Sequence, residues 1–411
     1  MGVAPTPPRP TPPRPTPPPV PERPHWMRVA RETADDLATD AVTREQAGKA
    51  PFDEVSRLRE AGLLTLLVPA ALGGGDAGWP TAYAVVRELA GADAAIGRLL
   101  GCHYVMSWSA RLFAEPALAA RLEQRSAAEQ WCWGGGIARQ EPRLTLVSSG
   151  DGYVLDGRQS YPTGVLVADR LAVRAVRADT GEPLAVVADP GREGVRIDDD
   201  TDPFGQRLAA GGSVEFDGVR VHADEVLGPL SVDEDILSPA ASLASPLGRL
   251  VSVQVCLGLA EGVLAEAREY SRIGHSSWHP DRSAGALQDP LTLTEFGELT
   301  VLTRAASALA AEALTALDSG LRRGADLTYD EGAEISVLVA VAEAAAAKAA
   351  HESTARAPDI IGAHSTSARL GLDRFWRNAR THTLQEPVTH RLRDVGGYFL
   401  SGEHPPFTLP V

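Results

Sequence analysis

Residues 204–229 read FGQRLAAGGSVEFDGVRVHADEVLGP. Two short apolar runs in this segment, 214–216 and 219–221, alternate with polar residues and are separated by Asp217 and Gly218. A period of two is typical of half-buried strands. Similar runs, divided by Gly, Asp and Pro, lie upstream at 144–147, 153–155, 171–176 and 184–187. We therefore predict an antiparallel β-domain over residues 131–230.

Helical spacing of apolar residues replaces this alternation on both sides of the β-domain. Before it, Tyr83, Val86 and Leu89 recur on one helix face, which predicts an N-terminal helical domain over residues 25–130. After it, long alanine-rich segments predict a helical bundle over residues 231–411. The fold class is therefore α+β, with the β-domain between two helical domains.

Composition limits the binding partners and the cellular compartment that we expect for this chain. The chain has 411 residues and a net charge of −15, which disfavours nucleic acid and anionic membranes. Its three cysteines are too few and too scattered for a disulfide framework or a metal cage, so we expect no metal and a reducing cytoplasm. We also expect no membrane-spanning segment, because no apolar run is evident at the necessary length.

The N-terminus is unusual in composition. Residues 1–24 contain 12 of the 31 prolines, in the near-repeat PTPPRPTPPRPTPPPVPERP. Such a segment favours an extended polyproline conformation, so we predict a proline-rich, disordered tail rather than a domain. It lacks the apolar core of a secretory signal, and export is not indicated. Docking to a proline-reading partner is the alternative role for it.

Several segments resemble a known enzyme superfamily. Residues 204–229 resemble the end of the β-domain in acyl-CoA dehydrogenases, and GDGYVLDGRQSYPTG at 150–164 resembles their hairpin that leads to a Thr or Ser over the flavin. On physical grounds Asp156 and Gly157 also predict a hairpin turn, because Gly accepts a positive φ. Three more stretches resemble dibenzothiophene monooxygenases and sulfur-acquisition oxidoreductases: LLGCHYVMSW at 99–108, QWCWGGG at 130–136 and RFWRNARTHTLQEPVTHRLRDVGGYFLSGEHPP at 374–406.

The resemblance implies an acyl-CoA dehydrogenase-like fold whose C-terminal part is a four-helix bundle. It implies a flavin between the β-domain and the bundle, either FMN or FAD, supplied in reduced form by a separate flavin reductase. It also implies a homotetramer acting on a small molecule. The pyrophosphate grip that many dehydrogenases use for FAD has no counterpart in residues 271–290, so permanent FAD binding is not expected.

The chain departs from the monooxygenase branch at three polar positions. That branch often has Asn at the position of Gly135, Ser at that of Thr163 and His at that of Gln385. Dehydrogenases instead place a Thr over flavin N5, which Thr163 matches, and one major group has a catalytic Glu where Glu386 falls. The predicted site therefore combines features of both groups.

Five residues are candidate catalytic groups. Oxygen insertion needs a dry cavity, a hydrogen-bond donor and a group that manages protons. His103 lies in an apolar helix pattern and could handle a proton, or could be a core histidine bonded to a carbonyl. Thr163 could give its hydroxyl to the flavin, or could simply close a strand. His382, Gln385 and Glu386 complete the set.

The last three candidates follow a cluster of arginines. His382 and Glu386 are four residues apart, so on a helix they would face the same side and could share a proton. Pro387 predicts that they lie at a helix end, where side chains can enter a cleft. A surface ion pair is the alternative. Gln385 cannot titrate.

Five residues are candidate cofactor contacts. Trp133 and Tyr161 could border the flavin ring, although core packing is the alternative for each. Gly135 permits close approach of the backbone to a ligand. Thr163 and Gly164 follow Tyr161 in the segment that the resemblance places over the flavin.

Three functions are compatible with these residues. The preferred one is a two-component flavin-dependent monooxygenase that uses reduced flavin and O₂ on a small organic substrate, for example in secondary metabolism or heteroatom oxidation. The alternative is an FAD-dependent acyl-thioester dehydrogenase with Glu386 as the base. The third is a non-catalytic flavin-fold scaffold whose prolines recruit a partner.

Overall fold

Helices form both ends of the described chain and strands form its middle. The structure is a computed structural model that describes residues 22–230, 238–273, 289–385, 387–405 and 409. The predicted tail therefore lies outside the described residues over 1–21, and Glu386 lies outside them too. The helices before the strands are α1 (Arg23–Ala38), α2 (Ala41–Ala47), α3 (Phe52–Glu60), α4 (Trp79–Ala92), α5 (Ala94–Phe113) and α6 (Pro116–Glu129).

The middle of the chain forms one sheet of eight strands. They are β1 (Trp133–Gly136), β2 (Leu144–Ser149), β3 (Gly152–Tyr161), β4 (Arg170–Arg177), β5 (Pro183–Ala188), β6 (Val195–Asp198), β7 (Gly212–Val221) and β8 (Val226–Pro229). Their order is β6-β7-β3-β2-β4-β5-β8, with β1 paired to β4. Most pairs are antiparallel as predicted, but β1 with β4 and β2 with β4 are parallel. Alternation along a strand shows which face is buried and not which way its neighbour runs.

The predicted hairpin turn at Asp156 and Gly157 is wrong. Both residues lie inside β3, where the register against β7 shifts, and the chain turns instead at Gly150, between β2 and β3. Gly157 has φ +124°, a conformation that serves a bulge as well as a turn. The Asp156 carboxylate accepts a hydrogen bond of 2.8 Å from the backbone N–H of Gly218, which secures the bulge.

The C-terminal helices are three long ones and two short ones. They are α7 (Ala244–Arg272), α8 (Pro290–Arg323), α9 (Tyr329–Ile361), α10 (Asp373–Gln385) and α11 (Val388–Ser401). Helices α7, α8 and α9 pack on one another, α10 packs on α7 and α9, and α11 packs on α9. This arrangement is the predicted four-helix bundle with one helix added.

Helix α7 is apolar because it lies at the centre of the molecule. The segment Pro239–Arg272 is long and apolar enough to cross a membrane, contrary to the expectation from the sequence. Two thirds of its most apolar window is buried inside the protein, against α4, α5 and α9 among others. A central core helix needs apolar residues on most of its surface, so this burial accounts for the composition.

Glycines set the distance between α7 and its neighbours. A Cβ on Gly258 would lie 2.6 Å from the carbonyl oxygen of Arg87 in α4. A Cβ on Gly262 would lie 2.2 Å from the carbonyl oxygen of Gly91 and 2.9 Å from the ring of Phe375 in α10. No other residue type fits at these two positions without a shift of the backbone. The close contact draws the N-terminal domain and α10 onto the same helix.

Helix α10 is held from the β-domain and from the N-terminal domain. The side-chain oxygen of Asn378 accepts a hydrogen bond of 2.6 Å from the backbone N–H of Gln206, in the segment before β7. Arg377 forms a two-point ion pair with Glu45 of α2, and Nη1 of Arg377 donates to the carbonyl of Phe204 at 2.8 Å. These contacts join α10, one of the C-terminal helices, to both the β-domain and the N-terminal domain.

We predict that Gly258→Ala lowers the free energy of unfolding by about 1–3 kcal/mol, because the added methyl group overpacks the contact with α4. Gly297→Ala is the matched control, since Gly297 is an exposed glycine of α8 with open space around it. Alanine favours helix more than glycine does, so this variant should gain up to about 1 kcal/mol. Urea denaturation measures both values. Equal stability of the two variants would contradict the close contact.

Candidate active site

A cavity of about 120 Å³ lies where α5, α7, α9 and α10 meet the end of β3. Helix α5 contributes Arg98 and Cys102, and α10 contributes His382 and Gln385. Thr163, just beyond β3, lines it from the β-domain. Three candidates from the sequence, Thr163, His382 and Gln385, therefore surround one hollow at the junction of the three parts of the fold. Val105, Met106, Val251 and Leu409 are among its apolar walls.

Thr163 presents a buried hydroxyl that has no partner. Thr163 is 3% exposed, and Oγ1 makes no hydrogen bond with the residues that the structure describes. The following residue, Gly164, has φ +84°, and its N–H donates to the carbonyl of Ala209 at 2.8 Å. This turn fixes the backbone beside Thr163. A buried hydroxyl without a partner is costly, so it is suited to bonding a ligand in the cavity.

Arg98 and Gln385 form a pair across the cavity. Nη2 of the Arg98 guanidinium donates to the side-chain oxygen of Gln385, whereas Nη1 of Arg98 has no partner. Burial lowers the pKa of Arg98 to about 10, so it remains charged at neutral pH. One turn along α5, burial raises the pKa of the Cys102 thiol to about 11, against the opposing effect of the Arg98 charge. Cys102 is therefore a neutral thiol at physiological pH.

His382 is a neutral imidazole in this cavity. Its side chain is 8% exposed, and neither ring nitrogen makes a hydrogen bond of ordinary geometry. Burial is the main cause that lowers its pKa to about 3, and the positive charge of Arg98 adds to the shift. Contact with the backbone of Ser252 acts weakly in the opposite direction. His382 therefore offers one donor and one acceptor to a ligand at pH 7.

Charge on the bundle side of the cavity is paired. Arg249 of α7 donates to Glu343 of α9 at 2.9 Å, and Arg391 of α11 lies 3.1 Å from the same carboxylate oxygen. Arg391 also pairs with Asp394 at 3.3 Å. Glu343 is the only carboxylate among the described residues that line the cavity. Its charge is taken up by these two arginines.

A second hollow, of about 260 Å³, adjoins the first at Gln385. Pro162 and Leu166 line it from the β-domain and Thr381 from α10. The side-chain oxygens of Gln206 and Thr381 are buried there without partners. A ligand that is too large for one hollow can therefore contact the polar atoms of both.

His103 has a structural environment rather than a position in the cavity. It is fully buried; its Nδ1 accepts a hydrogen bond of 3.0 Å from the backbone N–H of Trp133. Nε2 therefore carries the proton and donates to the carbonyl of Leu64 at 2.7 Å. Burial lowers its pKa to about 4. Both ring nitrogens are occupied by backbone groups, as in the core alternative, and the proton-handling role of His103 stays a prediction.

The other expected cofactor contacts also lie in the core. Trp133 Nε1 donates to Ser126 Oγ at 3.0 Å, and Tyr161 donates to the side-chain oxygen of Gln159 at 2.8 Å. A Cβ on Gly135 would lie 2.4 Å from the carbonyl oxygen of Ala172, and one on Gly164 would lie 3.1 Å from Gly134 Cα. Neighbouring strands and turns, rather than a cofactor, account for these glycines. None of the four residues lines the main cavity.

The predicted pair of His382 and Glu386 cannot be placed, because Glu386 lies outside the described residues. The described part of α10 reaches Gln385, and Pro387 precedes the first residue of α11. Arg98 lines the cavity but is not among the residues predicted from the sequence. A single arginine within the otherwise apolar run AAIGRLLGC was the available signal. Within the described parts of the chain, no group of three or more metal-ligating side chains occurs.

The comparisons with known proteins agree with this architecture. The model of the acyl-CoA dehydrogenase N-terminal domain matches residues 24–129, and that of the C-terminal domain matches residues 250–387. The chain belongs to the acyl-CoA dehydrogenase family. Within that family it falls in the branch of the dibenzothiophene monooxygenases, so the resemblance read from the sequence is confirmed.

Three relatives define the branch. The chain is 36% identical to a dibenzothiophene monooxygenase of Mycolicibacterium goodii over 92% of this chain and 94% of the relative. It is 34% identical to the probable FMNH₂-dependent monooxygenase SfnC of Pseudomonas putida over 94% and 97% of the two chains. FMN-bound TdsC of Paenibacillus sp. A11-2 superposes with a TM-score of 0.88 at 34% identity, over 93% and 98%.

We predict that His103→Ala lowers the free energy of unfolding by about 2–4 kcal/mol, through a cavity and two lost hydrogen bonds. Its affinity for FMN, measured by fluorescence at a temperature where the variant is folded, should remain that of the wild type. A variant of unchanged stability that has lost turnover would instead restore the proton-handling role.

We also predict an acid-sensitive contribution from His382. The unfolded imidazole takes up a proton near its ordinary pKa of 6.5, whereas the folded one does not until about 3, so stability is lost as the pH falls through this window. Between pH 7 and pH 5 the loss from this one group is about 2 kcal/mol. Urea titrations should show that His382→Gln loses less stability than the wild type by this amount. Parallel pH profiles would contradict the buried neutral imidazole.

Proposed function

We propose that this protein is a two-component flavin-dependent monooxygenase that receives reduced FMN from a separate flavin reductase and oxygenates a small organic substrate. The family to which the chain belongs supports this function. So do the monooxygenase relatives, which match the chain over nearly its full length. The names of SfnC and FMN-bound TdsC support FMN as the flavin.

The observation that carries the proposal is the set of unpartnered polar atoms around the cavity. Among the described residues, Thr163 Oγ1 and Arg98 Nη1 are buried without a hydrogen-bond partner, and neither ring nitrogen of His382 makes a hydrogen bond of ordinary geometry. Native proteins rarely leave several such atoms in one place, because each costs about 1–3 kcal/mol. An isoalloxazine and a substrate carry donors and acceptors that fit this set. Thr163 and the polar atoms near Gln385 would hold the flavin.

Bound reduced flavin supplies the two electrons that activate O₂. The side chains of this protein orient the flavin, exclude water and hold protons. Thr163 can donate one hydrogen bond from a fixed turn. His382 can donate a proton from one nitrogen while its other nitrogen accepts, and burial keeps it neutral for both roles. Gln385 cannot titrate, so its bond with Arg98 serves to position the guanidinium.

The dehydrogenase alternative lacks a comparable observation. Proton abstraction from an acyl thioester needs a carboxylate base at the cavity. Among the described lining residues that carboxylate would be Glu343, which is held by Arg249 and Arg391. A carboxylate held between two arginines is a weaker base than a free one, because the positive charges stabilise its deprotonated form. Glu386 lies outside the described residues.

We further propose a homotetramer located in the cytoplasm. Large apolar side chains are exposed on the bundle helices, among them Val301 of α8 and Phe399 and Leu400 of α11. Their exposure, between 70% and 87%, supports burial of these helices against other copies of the chain. The reducing compartment is supported by three cysteines that form no disulfide.

We predict that the wild-type protein binds FMN and, with a flavin reductase, NADH and air, transfers one oxygen atom of ¹⁸O₂ to a small sulfur compound in a panel of neutral aryl sulfides and arylsulfinates. Thr163→Val should weaken FMN binding by about tenfold, since it removes one buried hydrogen bond. Thr163→Ser, which keeps the hydroxyl, is the matched control. The proposal fails if the wild type does not bind FMN, or if it forms only hydrogen peroxide with every sulfide and sulfinate in the panel.

A further inference from the structure

Arg98 differs from the other buried arginines of the described chain. Arg249 pairs with Glu343, Arg374 pairs with Glu266 and Arg391 pairs with Glu343 and Asp394. Arg98 is 8% exposed, and its partner in the described residues is the uncharged amide of Gln385. It is therefore a guanidinium that the described structure does not neutralise.

Burial of such a charge is expensive. Removing an ion from water costs several kcal/mol even after the protein has relaxed around it. This buried charge lies at the wall of a cavity, where Nη1 of Arg98 has no hydrogen-bond partner among the described residues. Gln385 holds the other amino group, so the orientation of the guanidinium is fixed before any ligand binds. A planar guanidinium with a fixed orientation is suited to the two oxygens of an oxoanion.

The rest of the cavity suits the organic part of the same ligand. Val105 and Met106 follow Arg98 on α5, and Val251 and Leu409 line the cavity with them. Among the described residues that line the cavity, the acids and bases supply no competing negative charge. Cys102 is a protonated thiol, His382 is neutral, and Glu343 is held by two arginines.

We propose that the cavity selects a small organic oxoanion, a carboxylate or a sulfinate, by pairing its oxygens with the guanidinium of Arg98. This substrate class rests on the proposed function, because it takes the cavity as the place where the substrate binds. Arg98 is thus the residue that determines specificity. A neutral substrate of the same shape leaves the guanidinium unpaired and is bound less tightly.

The test uses isothermal titration calorimetry of the FMN-loaded protein with two matched pairs of probes. Benzenesulfinate is compared with the neutral methyl phenyl sulfoxide, and benzoate with benzamide. A charge-assisted hydrogen bond is worth about 1.5–3 kcal/mol, so at least one anion should bind about ten- to hundredfold more tightly than its neutral partner. The pair that shows the larger ratio distinguishes a sulfinate from a carboxylate.

Three variants isolate the guanidinium. Arg98→Met should abolish the preference for the anion, and Arg98→Lys should retain part of it. Arg121→Met removes an exposed arginine that pairs with Asp224 on the surface, and should behave as the wild type. Arg98→Met should also unfold at a temperature no lower than the wild type, because it removes an unpaired buried charge.

Three results would overturn the proposal. One is a wild-type protein that binds neither anion more tightly than its neutral partner. Another is an Arg98→Met variant that keeps the preference. The third is an Arg98→Met variant that loses FMN affinity while its anion preference is unchanged, since Arg98 would then hold the flavin. A wild type that binds the anions but not FMN would instead reject the proposed monooxygenase function and leave the anion site in place.

Discussion

The close packing around α7 is the constraint on which the rest of the structure depends. Glycines at positions 258 and 262 let α4 and α10 approach this helix to backbone contact. That approach brings α5 of the N-terminal domain and α10 of the bundle to the same cavity, and Asn378 ties α10 to the β-domain. The side chain of Thr163 completes the wall. A larger residue on α7 would separate the three parts and open the cavity to water.

The buried polar groups around the cavity lower the stability of the fold and favour the binding of a ligand. Arg98, Thr163 and His382 are all buried, and each has polar atoms that find no partner within the protein. The apolar surroundings that make this unfavourable also strengthen every contact that a ligand makes there. The same burial keeps His382 uncharged and Cys102 protonated, so Arg98 provides the positive charge at the cavity. The site is therefore arranged for a polar ligand before that ligand arrives.

The sequence predicted the order of helical and β segments, and three of its candidate site residues, Thr163, His382 and Gln385, lie around one cavity. Period-two runs located most strands, and the segment from His382 to Gln385 lies on a helix that lines the cavity. The sequence does not predict the direction in which neighbouring strands pair. It does not predict the bulge at Gly157 either, since a glycine with positive φ serves either a bulge or a turn. Spacing cannot reveal which carbonyls and N–H groups lie across the core from His103, so it leaves the proton-handling and core alternatives open. The sequence does not predict the contact between Arg98 and Gln385, because the two residues are distant in the chain.

A crystal structure of the protein with FMN is the most direct test of the central claim, that the buried polar atoms without partners in the protein exist to bind flavin and substrate. We expect the isoalloxazine ring between the β-domain and α10, with the Thr163 hydroxyl bonded to it and His382 and Arg98 facing the remaining space. A flavin bound elsewhere would contradict this account, as would a cavity filled by side chains with Thr163, His382 and Arg98 satisfied by one another.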